Sequence, residues 1–297
     1  MAVILGLVSP AVAPTPTVAP MPAVRSCVVT GGVTHAWSVP YATADGVDPE
    51  LLSLDLAVPA VGEGCAPPPL VVFVHCGGWR RGDKANGGDA AARLFNGAGL
   101  AYASVNYRLS PAVQYPTHDD DVATALDWLS DHAADYGFDP THVRLYGFSA
   151  GATIVASLAT NETHLASVGR DIYVLGCVAA LDTEGYDVAA AAAETGSLGA
   201  LYRDAFGDDP ATWAEASPIN HVAAGAGTPP MLLVTRGGPD RTALTHRFAE
   251  LLIAAGVDTR VVEVPDLRHD QVNAAIGDPD DVRISPALLS LFDDCTF

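Results

Sequence analysis

The feature that most constrains this chain is the alternation of apolar, β-rich runs with longer helix-patterned stretches. The runs are Cys27–Trp37, Leu51–Val58, Leu70–His75, Leu100–Tyr107, Val143–Phe148, Ile172–Ala180, Met231–Arg236 and Thr259–Val264. The first two are separated by the turn residues Asp45-Gly46 and Asp48-Pro49 and read as an antiparallel pair at a sheet edge. The other six lack the in-out alternation of a half-exposed strand, as expected of strands covered on both faces. Helical patterns lie between them near residues 86–98, 118–135, 150–160 and 241–255. Such alternation predicts an α/β fold: a mostly parallel sheet of about eight strands, with helices on both faces. One domain spanning 26–297 accommodates the whole pattern.

Two stretches fall outside that rhythm. Residues 182–221 are too long for an ordinary strand connection and include an alanine-rich helical segment, Val188–Ala193, so they read as a small lid or as a helix on the sheet edge. Residues 1–25 read as a signal-like or disordered leader, since the apolar segment 2–13 ends Ala11-Val12-Ala13 before a Pro/Thr/Ala/Val tract. The signal-like reading favours an extracellular or periplasmic location over a cytoplasmic one. After the leader, no run reaches the roughly 18 apolar residues that a membrane span needs.

Charge narrows the partners. The chain carries 15 basic and 35 acidic residues, a formal charge of -20, and Lys84 is its only lysine. Phosphate binding needs a positive footprint, so nucleic acid is excluded as a partner, and an anionic membrane surface would repel the protein. The five cysteines, Cys27, Cys65, Cys76, Cys177 and Cys295, form no paired C-x-x-C pattern, so no metal site is expected. Cys27 with Cys65, and Cys177 with Cys295, are candidate disulfides, which leaves Cys76 as the odd thiol.

The chemistry is concentrated at a few strand ends. Gly147-Phe148-Ser149-Ala150-Gly151 is a G-x-S-x-G motif that closes the run Val143–Phe148 and opens a helix of small residues. A sharp strand-to-helix turn lifts a serine hydroxyl above a sheet, and the helix N-terminus stabilises nearby negative charge. Ser149 is therefore the candidate nucleophile. Upstream, His75-Cys76-Gly77-Gly78-Trp79 follows a central run, and its adjacent glycines leave backbone N–H groups unobstructed. Gly77 and Gly78, with the N–H of Ala150, are candidate oxyanion donors. Cys76 and Trp79 are candidate pocket residues, and His75 is expected to brace the loop.

A serine hydroxyl needs a histidine to take its proton and a carboxylate to orient that histidine. His269 follows the last run, whereas His246 falls inside a predicted helix, so His269 is the candidate base. Asp240, in the loop after Met231–Arg236, is the expected acid; its ordinary reading is a helix N-cap. Asp266 and Asp182 are weaker rivals, Asp182 because it follows an earlier strand.

Taken together these residues resemble the hormone-sensitive-lipase and kynurenine-formamidase branch of the α/β-hydrolases, the His-Gly-Gly-x-Trp loop esterases. The resemblance rests on His75–Lys84, Asn106–Pro111, Tyr115-Pro116, Asp121-Val122, Trp128, Tyr136–Pro140, the Ser149 motif, Ser217-Pro218, Asp240 and His269, and covers roughly residues 50–293. It implies a serine carboxylesterase with no cofactor but is not specific to a substrate; the short candidate lid favours short-chain or aromatic acyl esters, including carbohydrate-linked ones, over long lipid chains. It also implies that Asp121 anchors the Asn106–Pro111 loop. Cys76 stands where the group usually has glycine, and Arg236 where a histidine is common. The rival readings are an arylformamidase-type amidase and a non-catalytic binding protein on the same scaffold.

Overall fold

The computed structural model describes residues 35–295. Eight strands form one sheet: β1 (His35–Pro40), β2 (Ser53–Val58), β3 (Pro69–Val74), β4 (Ala101–Val105), β5 (Asp139–Phe148), β6 (Leu175–Leu181), β7 (Met231–Thr235) and β8 (Thr259–Glu263). Their order is β1-β2-β4-β3-β5-β6-β7-β8. β1 pairs antiparallel with β2, and β2 with β4; every other pairing is parallel. The expected antiparallel edge and parallel body are thus both present. The first run was expected to begin at Cys27, but residues 27–34 lie outside the described residues, as do the expected leader 1–25 and the Cys27 end of the candidate Cys27–Cys65 bridge.

Among the described residues the α-helices are α1 (Gly88–Gly97), α2 (Thr117–Tyr136), α3 (Ala150–Thr160), α4 (Thr163–Ser167), α5 (Val188–Ala193), α6 (Ser197–Phe206), α7 (Pro210–Glu215), α8 (Pro239–Ala254), α9 (His269–Ala274) and α10 (Ile284–Asp294). Alternate residues of each central strand serve opposite faces. Val72 and Val74 of β3, with Leu145 of β5, pack against α2, α3 and α8 through Val122, Leu126, Ile154 and Phe248. Val71 and Phe73, with Tyr146, pack against α1 and α10 through Phe95, Leu288 and Phe292. Both faces are covered, which explains why these strands read as continuous apolar runs. Helix α3, under the middle of the sheet, is buried along its whole length.

Cys177 of β6 and Cys295, just past α10, form a disulfide across 118 residues. It fastens the C-terminal helix to a central strand. Stretch 182–221 contains α5, α6 and α7 rather than one helix. These short helices pack on each other and on the loop after β3, where Trp79 meets Tyr202 and Phe206 of α6 edge-on at ring separations of 5.1 and 5.0 Å.

Candidate active site

The loops that follow β3, β5, β6, β7 and β8 gather at the carboxyl edge of the parallel strands, where open α/β sheets bind ligands. Ser149 sits between β5 and α3 with φ 58° and ψ -117°, a left-handed conformation rarely held by a residue with a Cβ. Its N–H donates to the Leu181 carbonyl at 2.9 Å, which ties the turn to β6. Two residues on, Gly151 packs so tightly on β3 that any Cβ there would collide with the Val74 carbonyl. Glycine is required at that point by this close approach.

His269 opens α9, with Phe148 against its ring at a centroid distance of 4.6 Å. Its Nε2 accepts from the Ser149 hydroxyl at 2.9 Å, and its Nδ1–H donates to Asp182 Oδ2 at 2.6 Å. The carboxylate beside the imidazole is therefore Asp182, and the expectation of Asp240 is corrected. Asp240 lies in the first turn of α8 with its side chain exposed. It faces a separate surface cavity shared with Glu184, Asp187 and Arg247. Asp266, the other rival, is engaged on the surface by Arg283.

Asp182 directly follows β6 with φ 56°, and its N–H donates to the Val234 carbonyl at 2.8 Å. Its side chain is fully buried. Arg236 Nε donates to Oδ2 at 2.6 Å, Arg241 Nε to Oδ1 at 2.6 Å, and Arg241 Nη2 to the main-chain oxygen at 3.0 Å. Arg241 is also ion-paired with Glu184. Burial alone would raise the Asp182 carboxyl, but the His269 hydrogen bond and the two guanidinium groups outweigh it and hold the pKa below the ordinary carboxylate value.

The glycine loop lies on the opposite side of the serine. Gly77 has φ 122°, and a side chain there would strike the Arg81 carbonyl. No backbone acceptor among the described residues takes the N–H of Gly77 or Gly78. Ala150, as the first residue of α3, likewise has no intrahelical acceptor for its N–H. His75 braces the loop as expected: its ring stacks on Tyr107 at 4.2 Å and its Nδ1 lies 2.7 Å from the Cys76 oxygen. Burial drives its pKa down to about 4, so it is neutral near pH 7. Asp121 anchors Arg108, accepting from its N–H at 3.0 Å and from its guanidinium.

A cleft of ≈ 720 Å³ opens over Ser149 and His269. Cys76, Gly77 and Gly78 line it, as does Leu201, which α6 lays directly over Gly78. The Cys76 thiol is free and half-buried, and burial pushes its pKa up, so it is a neutral group in the wall. Trp79, expected to line the pocket, does not. It is buried beneath the cleft, where its indole supports α6. Sequence reading also missed Leu201, because only the folded 182–221 stretch brings α6 over the glycine loop. Among the described residues, no cluster of His, Cys, Asp and Glu could hold a metal ion.

An eight-stranded, mostly parallel sheet with a strained serine turn on its carboxyl edge defines the α/β-hydrolase class. Residues 54–251 match the BD-FAE family, and the chain belongs to that family, within the hormone-sensitive-lipase-like branch. It is a carboxylic ester hydrolase. Similar proteins include carboxylesterase NlhH of Mycobacterium tuberculosis, 30% identical over 70% of this chain and 68% of that one. Esterase LipI of the same organism is 27% identical over 77% and 78%. Among solved structures, a truncated carbohydrate esterase from gut microbiota superposes with a TM-score of 0.69 at 20% identity, covering 92% of this chain and 99% of that one.

Proposed function

We propose that the protein hydrolyses short-chain or aromatic acyl esters through an acyl-enzyme on Ser149. The observation that carries this reading is the continuous hydrogen-bonded line from Ser149 Oγ through His269 to buried Asp182. His269 Nε2 takes the hydroxyl proton as Oγ attacks the ester carbonyl carbon. The carbonyl oxygen becomes an oxyanion, received by the N–H groups of Gly77, Gly78 and Ala150. Asp182 keeps the Nδ1–H tautomer in place and stabilises the imidazolium. The imidazolium then returns its proton to the departing alkoxide, which leaves as the alcohol while the acyl group stays on Ser149. A water molecule, deprotonated by His269, attacks that acyl-enzyme; the acid leaves and Ser149 regains its proton.

Cys76 and Leu201 narrow the cleft beside the glycine loop, which supports a small or flat acyl group over a long lipid chain. A carbohydrate-linked alcohol is the second part of the proposed substrate. The test is an acyl-length series of p-nitrophenyl esters with wild type and Ser149→Ala. Wild type is expected to prefer acetate or butyrate to decanoate, and Ser149→Ala to be inactive. Retained turnover in that variant would overturn the acyl-enzyme. A strong preference for N-formylkynurenine over all esters would assign the cleft to arylformamides instead.

A further inference from the structure

The turn after β7, where an acid was expected, supplies two cations instead. Arg236 and Arg241 both reach back over the end of β7 to the carboxylate that follows β6. We infer that they are positioning residues for ester hydrolysis: Arg241 fixes the Asp182 carboxylate, and Arg236 sets how strongly that carboxylate holds the His269 imidazole. The inference rests on the Ser149–His269–Asp182 reading above.

The two guanidinium groups are not equivalent. Arg241 grips Asp182 at two points, Oδ1 and the main-chain oxygen, and is itself held by Glu184. It therefore fixes the side chain and the left-handed backbone of one residue together. Arg236 Nε donates to Oδ2, the same oxygen that accepts from His269 Nδ1, and both separations are 2.6 Å. A donor sharing that oxygen draws electron density from the imidazole's hydrogen bond, and its positive charge opposes a second positive charge on the ring. Both effects moderate the carboxylate's pull on the ring.

The other charged groups around the ring do not duplicate this role. Glu184 is turned to Arg241, Arg80 is paired with Asp204, and Asp270, which follows the histidine, is paired with exposed Arg268. Arg81 lies across the cleft on the glycine-loop side, and Cys76 is a neutral thiol. Two acids, buried Asp182 and partly exposed Glu184, balance two arginines, so loss of either arginine leaves an excess of negative charge beside the ring.

The experiment is the pH dependence of kcat and kcat/KM for p-nitrophenyl acetate in wild type, Arg236→Met, Arg236→Lys, Arg241→Met and Asp182→Asn, each checked for a native near-ultraviolet circular-dichroism spectrum. Arg236→Met is expected to move the acid limb of kcat/KM up by about half a pH unit or more, and Arg236→Lys, which keeps the charge, to restore most of it. Arg241→Met is expected to lower kcat about ten- to a hundred-fold with little change in KM, as displacement of an orienting group does. Should Arg241→Met fail to fold, the Arg236 pair still decides the electrostatic half. An inactive Asp182→Asn beside an unmoved acid limb in Arg236→Met and wild-type kcat in Arg241→Met would overturn the inference and leave the triad standing. Wild-type activity in Asp182→Asn would overturn the triad and the inference with it.

Discussion

The turns after β6 and β7 occupy equivalent places at the carboxyl edge of the sheet, and each offers an aspartate. Asp182 leaves β6 directly, is buried, and receives His269 and two arginines. Asp240 stands five residues beyond the end of β7, exposed in the first turn of α8, with no ion pair among the described residues. The difference teaches that a carboxylate at a strand end is useful only where charge can be buried and compensated. An unpaired buried carboxylate would be prohibitively costly, and Arg236 and Arg241 remove that cost for Asp182. At Asp240 the helix N-terminus is favourable to an anion, but nothing aims that anion at the imidazole.

The sharpest way to break this contrast is to neutralise each acid in turn. Asp182→Asn is expected to lower kcat about a thousand- to ten-thousand-fold, as loss of the orienting acid does in serine hydrolases generally. Asp240→Asn is expected to stay within about two-fold of wild type. Steady-state hydrolysis of p-nitrophenyl acetate reads both, and a reversal would hand the role to the turn after β7.

The next largest effect concerns how the two strands are anchored. β6 is tied to the region beyond α10 by Cys177–Cys295, whereas β7 has no such tether among the described residues. A crosslink spanning 118 residues restricts the unfolded chain strongly. Cys295→Ser is expected to lower stability by about 3–5 kcal/mol in urea unfolding. A loss below about 1 kcal/mol would show that burial of Phe292 and Leu288 already fixes α10.

A smaller effect appears in the pH dependence of stability. The Asp182 pKa is lower in the folded than in the unfolded chain. Its ionised form therefore adds stability above the ordinary carboxylate pKa of about 4, and that contribution is lost as the pH falls through the folded value. Wild type should exceed Asp182→Asn by on the order of 1–3 kcal/mol near neutrality, with the gap closing below about pH 4. Thermal melts across that range test it; a constant gap would mean that the lost hydrogen bonds, not the charge, matter.

The smallest expected change lies off both turns. Cys76→Gly should raise the octanoate-to-acetate ratio of kcat/KM a few-fold by widening the cleft, with the pH profile unchanged. No change in that ratio would remove Cys76 from the acyl pocket.

Much of this arrangement was legible beforehand. The runs Leu70–His75 and Met231–Arg236 are dominated by apolar residues because both sheet faces are covered, and they fall on β3 and β7 with one residue over at the carboxyl end. Ser149 and the glycine loop were legible because tight turns restrict residue choice locally: the approach of Gly151 to β3 admits no side chain. Trp79 was misassigned because a large aromatic beside a glycine loop looks the same in sequence whether it lines a cleft or supports a helix from below. Its place was settled by Tyr202 and Phe206, more than a hundred residues away in the chain.

The sequence by itself determined the strand-helix order, the serine at its turn, the glycine loop before it and the histidine after the last strand. Each follows from periodicity or from steric limits among near neighbours. Only the tertiary structure decided which acid meets His269. The spatial order β6-β7-β8 makes the histidine reach across β7 to the end of β6, and the arginines after β7 make a buried charge tolerable there. That choice depends on side-chain direction and compensating charge across three strands, and no local pattern carries either.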